Sequence, residues 1–207
     1  MAIVGERWGL FPKLKEWVAD KKPIWGTCAG MILLSDHAIK KAKGGQTLVG
    51  GLDVHVCRNF FGSQVYSCQV DIALEPSTSV SMELAGANSD PTCKAVFIRA
   101  PAILSLGPGV DVLASMIAKP HSSSRADVMN LIETAKGEDS DSISSSADSV
   151  LEVDKVKVGS HRVSTIIEST DAVNPDSSFE VFVAVRQGNI LATAFHPELT
   201  EDTRWHQ

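Results

Sequence analysis

Short apolar runs separated by glycine and proline recur along the chain, and the best defined of them surrounds a single cysteine. The apolar run Pro23–Trp25 leads into Gly-Thr-Cys-Ala-Gly at 26–30, and a second apolar run, Met31–Leu34, follows directly. This order predicts a strand, a sharp turn and a helix, and we expect the helix to continue to about Lys41. A helix is also predicted over Pro12–Asp20, with proline in its first turn.

Alternating apolar and polar positions, and short buried runs flanked by turn residues, predict further strands. They cover Leu52–Cys57, Val65–Ile72, Ala95–Ala100, Val110–Ser115, Phe179–Arg186 and Ile190–Phe195. The last two are expected to form a hairpin across Gln187–Asn189, and Val153–Val158 is expected to add a further strand. Strands and helices interleaved in this way predict an α/β domain.

Composition and charge narrow the function classes. The chain has 207 residues, of which 43% are hydrophobic and 21% are charged, as in a soluble globular protein with one substantial core. Its net charge of -6 argues against a general nucleic-acid binder. No apolar stretch reaches the length of a membrane span, and the N-terminus lacks the apolar core of a signal peptide. We therefore expect a cytoplasmic protein that binds neither nucleic acid nor membrane.

The four cysteines, at positions 28, 57, 68 and 93, lack the close pairing that is typical of a structural zinc site. Unpaired cysteines suit a reducing compartment. His55 and Cys57 are interpreted as neighbours in a strand alternation rather than as two metal ligands. The sequence therefore predicts no metal site.

One segment differs in composition from the rest of the chain. Residues 122–150 are polar, acidic and poor in aromatics, and they include the run Ser-Asp-Ser-Ile-Ser-Ser-Ser at 140–146. A segment of this kind buries too little apolar surface to offset the entropy of ordering. We predict a disordered insertion at about 121–150 within a single domain that covers 1–207.

The cysteine between the two glycines is the strongest candidate for chemistry. A Gly-x-Cys-x-Gly turn between strand and helix is the cysteine form of a nucleophile elbow, and we expect both glycines to permit a turn in which a Cβ would clash. The turn places Cys28 over the first turn of the next helix, where free N–H groups and the helix dipole favour a thiolate. A buried structural cysteine is the alternative interpretation.

A nucleophilic cysteine needs a base, and the base can lie far away in the sequence. The apolar strand Ile190–Phe195 ends at His196, and Pro197 stops the strand because it has no N–H to donate. Glu198 lies close enough to orient the imidazole and to stabilise its charged form. We therefore predict a triad of Cys28, His196 and Glu198, with a surface His-Pro-Glu turn as the alternative.

Several motifs together resemble the class I glutamine amidotransferases, and most closely the glutaminase subunits of pyridoxal 5′-phosphate synthase in their plant forms. The matching stretches are Pro23–Gly30, Gly44–Gln46, Val49–Asp53, Arg58–Gln64, Val96–Pro101, Leu191–Glu198 and Thr200–His206. The motifs that begin at Arg58 and at Val96 are specific to this subfamily. The resemblance covers most of 1–120 and 179–207.

The resemblance implies a flavodoxin-like fold of the class I glutamine amidotransferases, with a mixed, mostly parallel sheet and helices on both faces. It implies hydrolysis of L-glutamine to L-glutamate and ammonia through a thioester on Cys28, with the Ala29 N–H in the oxyanion hole. It assigns Arg58, Ile98 and Arg99 to glutamine binding and implies no cofactor and no metal. The ammonia is expected to pass to the synthase subunit in a hetero-oligomer, and the glutaminase is expected to be weak until that partner docks.

The chain departs from the family pattern at its N-terminus. The family's first strands and its Pro-Gly-Gly-Glu-Ser turn are not present, so we expect an N-terminally incomplete fold. That turn supplies the second oxyanion N–H, and loss of one donor costs roughly a hundred- to a thousandfold in rate. Impaired activity is therefore expected.

Other functions remain open at this point. One alternative is a truncated, non-catalytic form that only docks on the synthase. A second is a glutaminase subunit of another synthase, such as imidazole glycerol phosphate synthase, although the motifs at Arg58 and Ile98 argue against it. A cysteine peptidase or a redox sensor is the weakest alternative.

Overall fold

The structure of the chain, a computed structural model, describes residues 2–39, 46–62, 67–76, 90–137, 162–163 and 178–206. The helices are α1 (Ala2–Arg7), α2 (Leu10–Ala19), α3 (Ala29–Leu34) and α4 (Ser122–Gly137). The strands are β1 (Ile24–Thr27), β2 (Ser35–Ala38), β3 (Leu52–Cys57), β4 (Ser67–Leu74), β5 (Thr92–Ile98), β6 (Ala102–Leu106), β7 (Asp111–Ala118), β8 (Arg162–Val163), β9 (Phe179–Gln187) and β10 (Ile190–Thr193). Two 3₁₀ turns, Pro197–Leu199 and Arg204–His206, follow the last strand. None of the described helices is long and apolar enough to cross a membrane.

The described strands form one sheet of ten strands. Its main path runs β2-β3-β6-β9-β7-β4-β5, and β1 joins it through β10, which pairs with β9. β9 pairs with β6, β7 and β10, and its residues Val181, Phe182 and Val183 are at most 1% exposed. The core of the domain therefore lies around β9, next to the two strands, β1 and β10, that carry the predicted triad.

The α/β class and the mixed sheet are confirmed, while the balance of strand directions differs from the mostly parallel sheet that we expected. Among the described residues, only the β1–β10 and β2–β3 pairs are parallel, and every other pair is antiparallel. A parallel pair needs a crossover of about a dozen residues or more. Short links such as Gly188–Asn189, between β9 and β10, permit only antiparallel neighbours.

The predicted strand Leu52–Cys57 and the hairpin of β9 and β10 are confirmed. The strands expected in the 65–115 region are present with shifted ends, as β4, β5 and β7. The prediction missed β6, whose sequence Ala-Ile-Leu-Ser-Leu is buried throughout. A strand with both faces buried has no apolar–polar alternation by which it can be recognised.

The helix after the cysteine is much shorter than expected. It ends at Leu34, and β2 begins at the next residue, Ser35. The Ser35 hydroxyl donates to the Ile32 carbonyl at 2.8 Å, and the Asp36 carboxylate accepts from the Gly51 N–H at 2.7 Å. Short polar side chains that bond to the backbone compete with helix formation, and β2 pairs with β3 instead.

The segment that we expected to be a disordered insertion begins with helix α4. Val128 of this helix is 0% exposed, and the Ser124 hydroxyl donates to the Asn59 carbonyl at 2.7 Å. Packing and a hydrogen bond to the rest of the domain thus supply the ordering energy that the composition alone lacks. The remainder of the predicted insertion, 138–150, and the strand expected over 153–158 lie outside the described residues.

Candidate active site

Cys28 occupies a strained turn between β1 and α3. Its backbone dihedrals are φ 48° and ψ -102°, a combination that non-glycine residues rarely adopt and that costs on the order of 1–3 kcal/mol. The turn is fixed on both sides: the Cys28 N–H donates to the Thr193 carbonyl at 2.8 Å, and the Cys28 carbonyl accepts from the Ile32 N–H at 3.3 Å. Strain of this kind persists where the surrounding structure holds it in place, and it is frequent at functional sites.

The two glycines that flank Cys28 have different roles. A Cβ at Gly26 would lie 2.6 Å from the Gly30 carbonyl carbon and 2.7 Å from the Leu34 side chain. Only glycine therefore lets β1 approach the first turn of α3. A Cβ at Gly30 would meet no neighbouring atom within 4 Å. The expectation that both glycines relieve a clash is correct for Gly26 and wrong for Gly30.

The predicted base follows the strand next to the cysteine. β1 and β10 are parallel, with Thr27 opposite Thr193, so Cys28 and His196 both lie beyond the carboxyl ends of adjacent strands. The His196 N–H donates to the Val96 carbonyl of β5 at 2.9 Å. Sequence positions that are far apart in the chain therefore meet at one edge of the sheet.

His196 and Glu198 form a close pair, with 2.7 Å between Nδ1 and Oε1. Partial burial raises the pKa of Glu198, but the hydrogen bonds that it accepts, foremost from His196, outweigh burial and hold the pKa below its usual range. Glu198 is therefore ionised at neutral pH. A carboxylate at Nδ1 keeps the proton on that nitrogen and leaves Nε2 as the basic atom of the ring.

The Cys28 thiol lies in a mixed electrostatic environment, and it donates to the Ile98 carbonyl oxygen over 3.9 Å. Burial is the largest influence and raises the pKa of the thiol, the hydrogen bond from the Ala29 N–H lowers it, the Glu198 charge raises it, and the Arg99 charge lowers it. The net pKa is above the usual value. Burial therefore opposes the thiolate that we expected the helix terminus to favour, and a base next to the thiol would promote its ionisation.

A network that sequence analysis did not single out fixes the chain after Glu198. The Arg204 side chain is 8% exposed and forms a bidentate ion pair with Asp202, with 2.9 Å from Nε to Oδ1 and 2.6 Å from Nη2 to Oδ2. It also donates to the carbonyls of Asp90 and Thr92, at 2.7 Å and 2.5 Å, where β5 begins. We refer to these four residues as the Arg204 clamp. Its one sequence signal was that Asp202 and Arg204 lie in a stretch shared with the resembled family.

The three residues expected to bind glutamine differ in how close they lie to the Cys28 thiol. Ile98 ends β5 and accepts the thiol proton in its hydrogen bond, and Arg99 follows it, exposed, with φ 47°. Arg58 follows β3, whose last residue, Cys57, pairs with Ala102 of β6. Because β6 begins shortly after Arg99, this register carries Arg58 toward the same edge of the sheet.

A cavity of about 150 Å³ opens beside Arg58. Its lining comes from the ends of β2 and β3, the residues directly after them, and helix α4. The lining residues are Ile39, Cys57, Arg58, Asn59, Ser124 and Asp127. The three residues of the predicted triad are absent from this described lining. The structure thus brings Ile98 and Arg99 to the thiol, whereas Arg58 lines a cavity whose described lining includes neither of them.

His55, which precedes Cys57 in an apparent ligand pair, has a structural environment. Its imidazole is 3% exposed, lies 2.7 Å from the Ser105 hydroxyl and stacks on His37 with ring centroids 4.3 Å apart. Within the described ranges, no group of three or more His, Cys, Asp and Glu side chains could hold a metal ion. All four cysteines are free thiols.

Comparison with known proteins identifies the family of the chain. Residues 1–121 match the SNO glutamine amidotransferase family. The chain belongs to that family. A solved structure supports the fold independently. It is titled "Crystal structure of glutamine amidotransferase" and is 26% identical to this chain, with a TM-score of 0.56. The match covers 99% of this chain and 68% of that one.

Two curated relatives extend the likeness beyond the matched family region. "Probable pyridoxal 5'-phosphate synthase subunit PDX2" of Arabidopsis thaliana is 43% identical over 206 residues, which is 100% of this chain and 64% of the relative. "Pyridoxal 5'-phosphate synthase subunit PdxT" of Clavibacter michiganensis is 31% identical over 207 residues, again 100% of this chain and 64% of the relative. The SNO-family chain described here therefore spans less than two thirds of the length of these relatives.

Proposed function

We propose that this chain is a glutaminase, the glutamine-hydrolysing subunit of a pyridoxal 5′-phosphate synthase. The observation that carries the proposal is the strained Cys28 turn next to the His196–Glu198 pair on the adjacent parallel strand. The reaction is L-glutamine plus water giving L-glutamate and ammonia. Membership of the glutamine amidotransferase family and the names of the relatives support this choice of substrate.

In the proposed reaction, His196 takes the thiol proton and the Cys28 sulfur attacks the side-chain amide carbon of glutamine. The tetrahedral intermediate breaks its C–N bond as His196 returns the proton to the departing ammonia. Water then attacks the thioester, with His196 again as base, and glutamate leaves as the thiol is restored. Glu198 orients the imidazole and stabilises its charged form. The raised pKa of the thiol supports a role for a base in removing its proton.

Further residues are proposed as binding groups. The Ala29 N–H, which hydrogen-bonds the sulfur, is suited to the developing oxyanion once the sulfur has bonded to carbon. Arg58, Ile98 and Arg99 are proposed to receive glutamine. Two positive side chains at the same edge of the sheet favour a substrate with a carboxylate.

We further propose that the ammonia passes to a synthase subunit that docks with this chain as a hetero-oligomer and uses the ammonia to build pyridoxal 5′-phosphate. The relatives are named as subunits, which supports a partner. Four free thiols favour a reducing compartment, such as the cytoplasm.

The test is ammonia and glutamate release from glutamine by the full chain, with and without the synthase subunit. We expect release that the partner stimulates and that Cys28→Ala abolishes. Cys68→Ala is the matched control, because Cys68 is an exposed thiol on β4. A folded chain that releases no ammonia in either preparation would contradict the proposal.

A second candidate is a chain that docks on the synthase without hydrolysing glutamine. It is favoured by the thiol hydrogen bond, which goes to the Ile98 carbonyl, and by the raised pKa of Cys28. Binding to the synthase subunit in sedimentation, together with undetectable ammonia release, would identify this form. Hydrolysis that depends on Cys28 would exclude it.

A further inference from the structure

A second histidine lies against the strand that leads to Cys28. The His206 imidazole packs edge-on against the Trp25 ring of β1, with 5.0 Å between the ring centroids and 70° between the ring planes. Aromatic rings favour this edge-to-face arrangement, so the contact sets where the His206 ring lies. Trp25 is three residues before Cys28 in the sequence. An exposed imidazole is therefore held beside the strand of the proposed nucleophile.

The 3₁₀ turn that carries His206 is also fixed to the strand of the proposed base. Its middle residue, Trp205, is 6% exposed and packs edge-on against Phe195, with ring centroids 5.3 Å apart. Phe195 directly precedes His196. The first residue of the turn, Arg204, belongs to the Arg204 clamp. The turn therefore contacts both of the adjacent strands that lead to the triad.

The Glu198 carboxylate has capacity for a second positive partner. Its side chain is 48% exposed and accepts from His196 at Oε1. In the described part of the chain, no other side chain hydrogen-bonds this carboxylate, although a carboxylate can accept about four hydrogen bonds. Partial burial raises the pKa of Glu198, but the His196 hydrogen bond, the Glu198 N–H and the charges of His196 and His206 lower it, and the net pKa is below the usual range.

We propose that His206 is a positioning residue of the triad, whose protonated imidazole serves as a second positive partner of the Glu198 carboxylate. The inference rests on the proposed glutaminase function and deepens it, because it concerns how pH controls the same site. His206 acts through Glu198 and does not touch the substrate. Its positive charge keeps Glu198 ionised and repels a second proton on His196, so the base stays in its unprotonated form at lower pH.

The other charged groups around the triad have different partners. Arg99, which follows β5, acts on the Cys28 thiol, as Glu198 also does. The remaining charges of the C-terminal turn, Asp202 and Arg204, neutralise each other in the clamp. Among the described residues, the side-chain charges that act on Glu198 are those of the two histidines. Replacement of His206 therefore isolates one of the two.

The test replaces His206 in two ways. His206→Phe keeps a ring against Trp25 without a charge, and His206→Arg carries a positive charge at every pH. The measurement is kcat/KM for glutamine hydrolysis against pH, by the full chain with the synthase subunit. We expect the acid limb to move to higher pH in His206→Phe and to lower pH in His206→Arg. A separation of about 0.4 pH unit is expected for charges within a Debye length in water.

His37→Phe and His37→Arg are the matched controls. His37 is also an exposed imidazole packed on an aromatic ring, that of His55, but it lies on β2, an end strand of the main sheet path. Both control variants should leave the acid limb where it is in the wild-type chain. Thermal melting of each variant verifies folding.

A second measurement does not depend on hydrolysis. Carbon-13 NMR follows the ionisation of the Glu198 carboxyl group in the full chain carrying Cys28→Ala, with Glu198→Gln to assign the signal. His206→Phe should raise the pH midpoint of this ionisation by about 0.4 pH unit, because a positive partner is lost. His206→Arg should keep the midpoint low. Amide spectra at each pH verify that the chain stays folded.

The outcomes separate this inference from the glutaminase proposal. If the Glu198 midpoint is the same in all variants while the wild-type chain hydrolyses glutamine, the inference is overturned and the glutaminase function stands. If His206→Phe raises the midpoint but the wild-type chain releases no ammonia, the charge partnership stands and the hydrolytic function falls. Acid limbs that move the same way in His206→Phe and His206→Arg also overturn the inference, because the change would then follow from packing rather than from charge.

Discussion

Two cysteines lie near the two ends of β5: Cys93 belongs to the strand itself, and Cys28 contacts the strand from the turn after β1. Their backbone conformations and their neighbours differ. At the carboxyl end, the Ile98 carbonyl accepts from the Cys28 thiol. At the amino end, Cys93 is 2% exposed and lies next to the Arg204 clamp. Burial raises the pKa of both thiols, to about 11 for Cys93. Burial therefore does not distinguish the proposed nucleophile, Cys28, from the cysteine inside the regular strand.

The difference between the two cysteines lies in the backbone and in the neighbouring donors. Cys28 lies in a strained turn, its sulfur accepts a hydrogen bond from the Ala29 N–H, and the neighbouring strand β10 is followed by His196. Cys93 lies within a regular strand and pairs across the ladder with Ile72. The proposed nucleophile therefore lies where the backbone leaves regular structure, whereas Cys93 lies inside a regular strand.

The amino end and the middle of β5 are both held by hydrogen bonds from the C-terminal part of the chain. At the clamp, the Arg204 guanidinium is shared among a carboxylate and two backbone carbonyls. Between the two ends, the Val96 carbonyl accepts the backbone N–H of His196. A well-bonded amino end thus fixes the strand on which the base and the thiol both depend.

The largest expected effect comes from breaking the clamp with Arg204→Met. This change leaves the Asp202 carboxylate, which is 17% exposed, without its partner. We expect the free energy of unfolding to fall by about 3 kcal/mol, the lower end of the range for buried pairs, because Asp202 keeps some contact with water. Urea denaturation measures the loss.

The matched control for the clamp is Arg186→Met. Arg186 pairs with Asp111 at 3.3 Å, but both side chains are more than half exposed, at 56% and 62%. Exposed pairs contribute less than about 1 kcal/mol. Equal losses in the two variants would show that burial of the clamp has no energetic consequence.

The next effect concerns the glycine that admits the strained turn. Gly26→Ala places a Cβ 2.6 Å from the Gly30 carbonyl carbon, so α3 has to move away from β1. We expect a loss of about 2 kcal/mol in unfolding free energy, typical of overpacking, and a large fall in glutamine hydrolysis because Cys28 moves with the helix.

Gly30→Ala is the control for this prediction. A Cβ there meets open space, and alanine favours the helix over glycine by about 1 kcal/mol. We expect unchanged or slightly higher stability by urea denaturation. Similar losses for both alanine variants would mean that the turn tolerates no side chain at either glycine.

The sequence was sufficient for features that depend on neighbouring residues. The turn at Cys28, the strand β3 and the hairpin that delivers His196 are all marked by local punctuation and periodicity. These elements keep the conformation that their local sequence favours, because that conformation agrees with the tertiary structure.

Features that depend on distant partners were not accessible in this way. α3 ends early because the Asp36 carboxylate accepts a hydrogen bond from the Gly51 N–H and because β2 pairs with β3. α4 forms within a polar segment because Ser124 and Val128 pack against the rest of the domain. The Arg204 clamp joins residues more than a hundred positions apart. The sequence pattern around each of these residues does not predict such contacts.

The smallest expected effect is a shift in the pH at which the Cys28 thiol reacts. Iodoacetamide alkylation followed by mass spectrometry of the peptides measures the reactivity of this thiol. The experiment uses Cys68→Ser, because Cys68 is exposed and would also react. Only the thiolate reacts, so the rate rises as pH rises toward the elevated pKa of Cys28. Cys93, buried and with a pKa of about 11, should stay unmodified until the chain is unfolded.

Two charge changes should move that profile in opposite directions. The Glu198 charge raises the pKa of Cys28, so Glu198→Gln should shift alkylation to lower pH. The Arg99 charge lowers the pKa, so Arg99→Gln should shift alkylation to higher pH. Both shifts are expected to be smaller than the effect of burial, which is the largest influence on this thiol. Profiles that move the same way in both variants would show that the thiol responds to rearrangement of the turn rather than to the two charges.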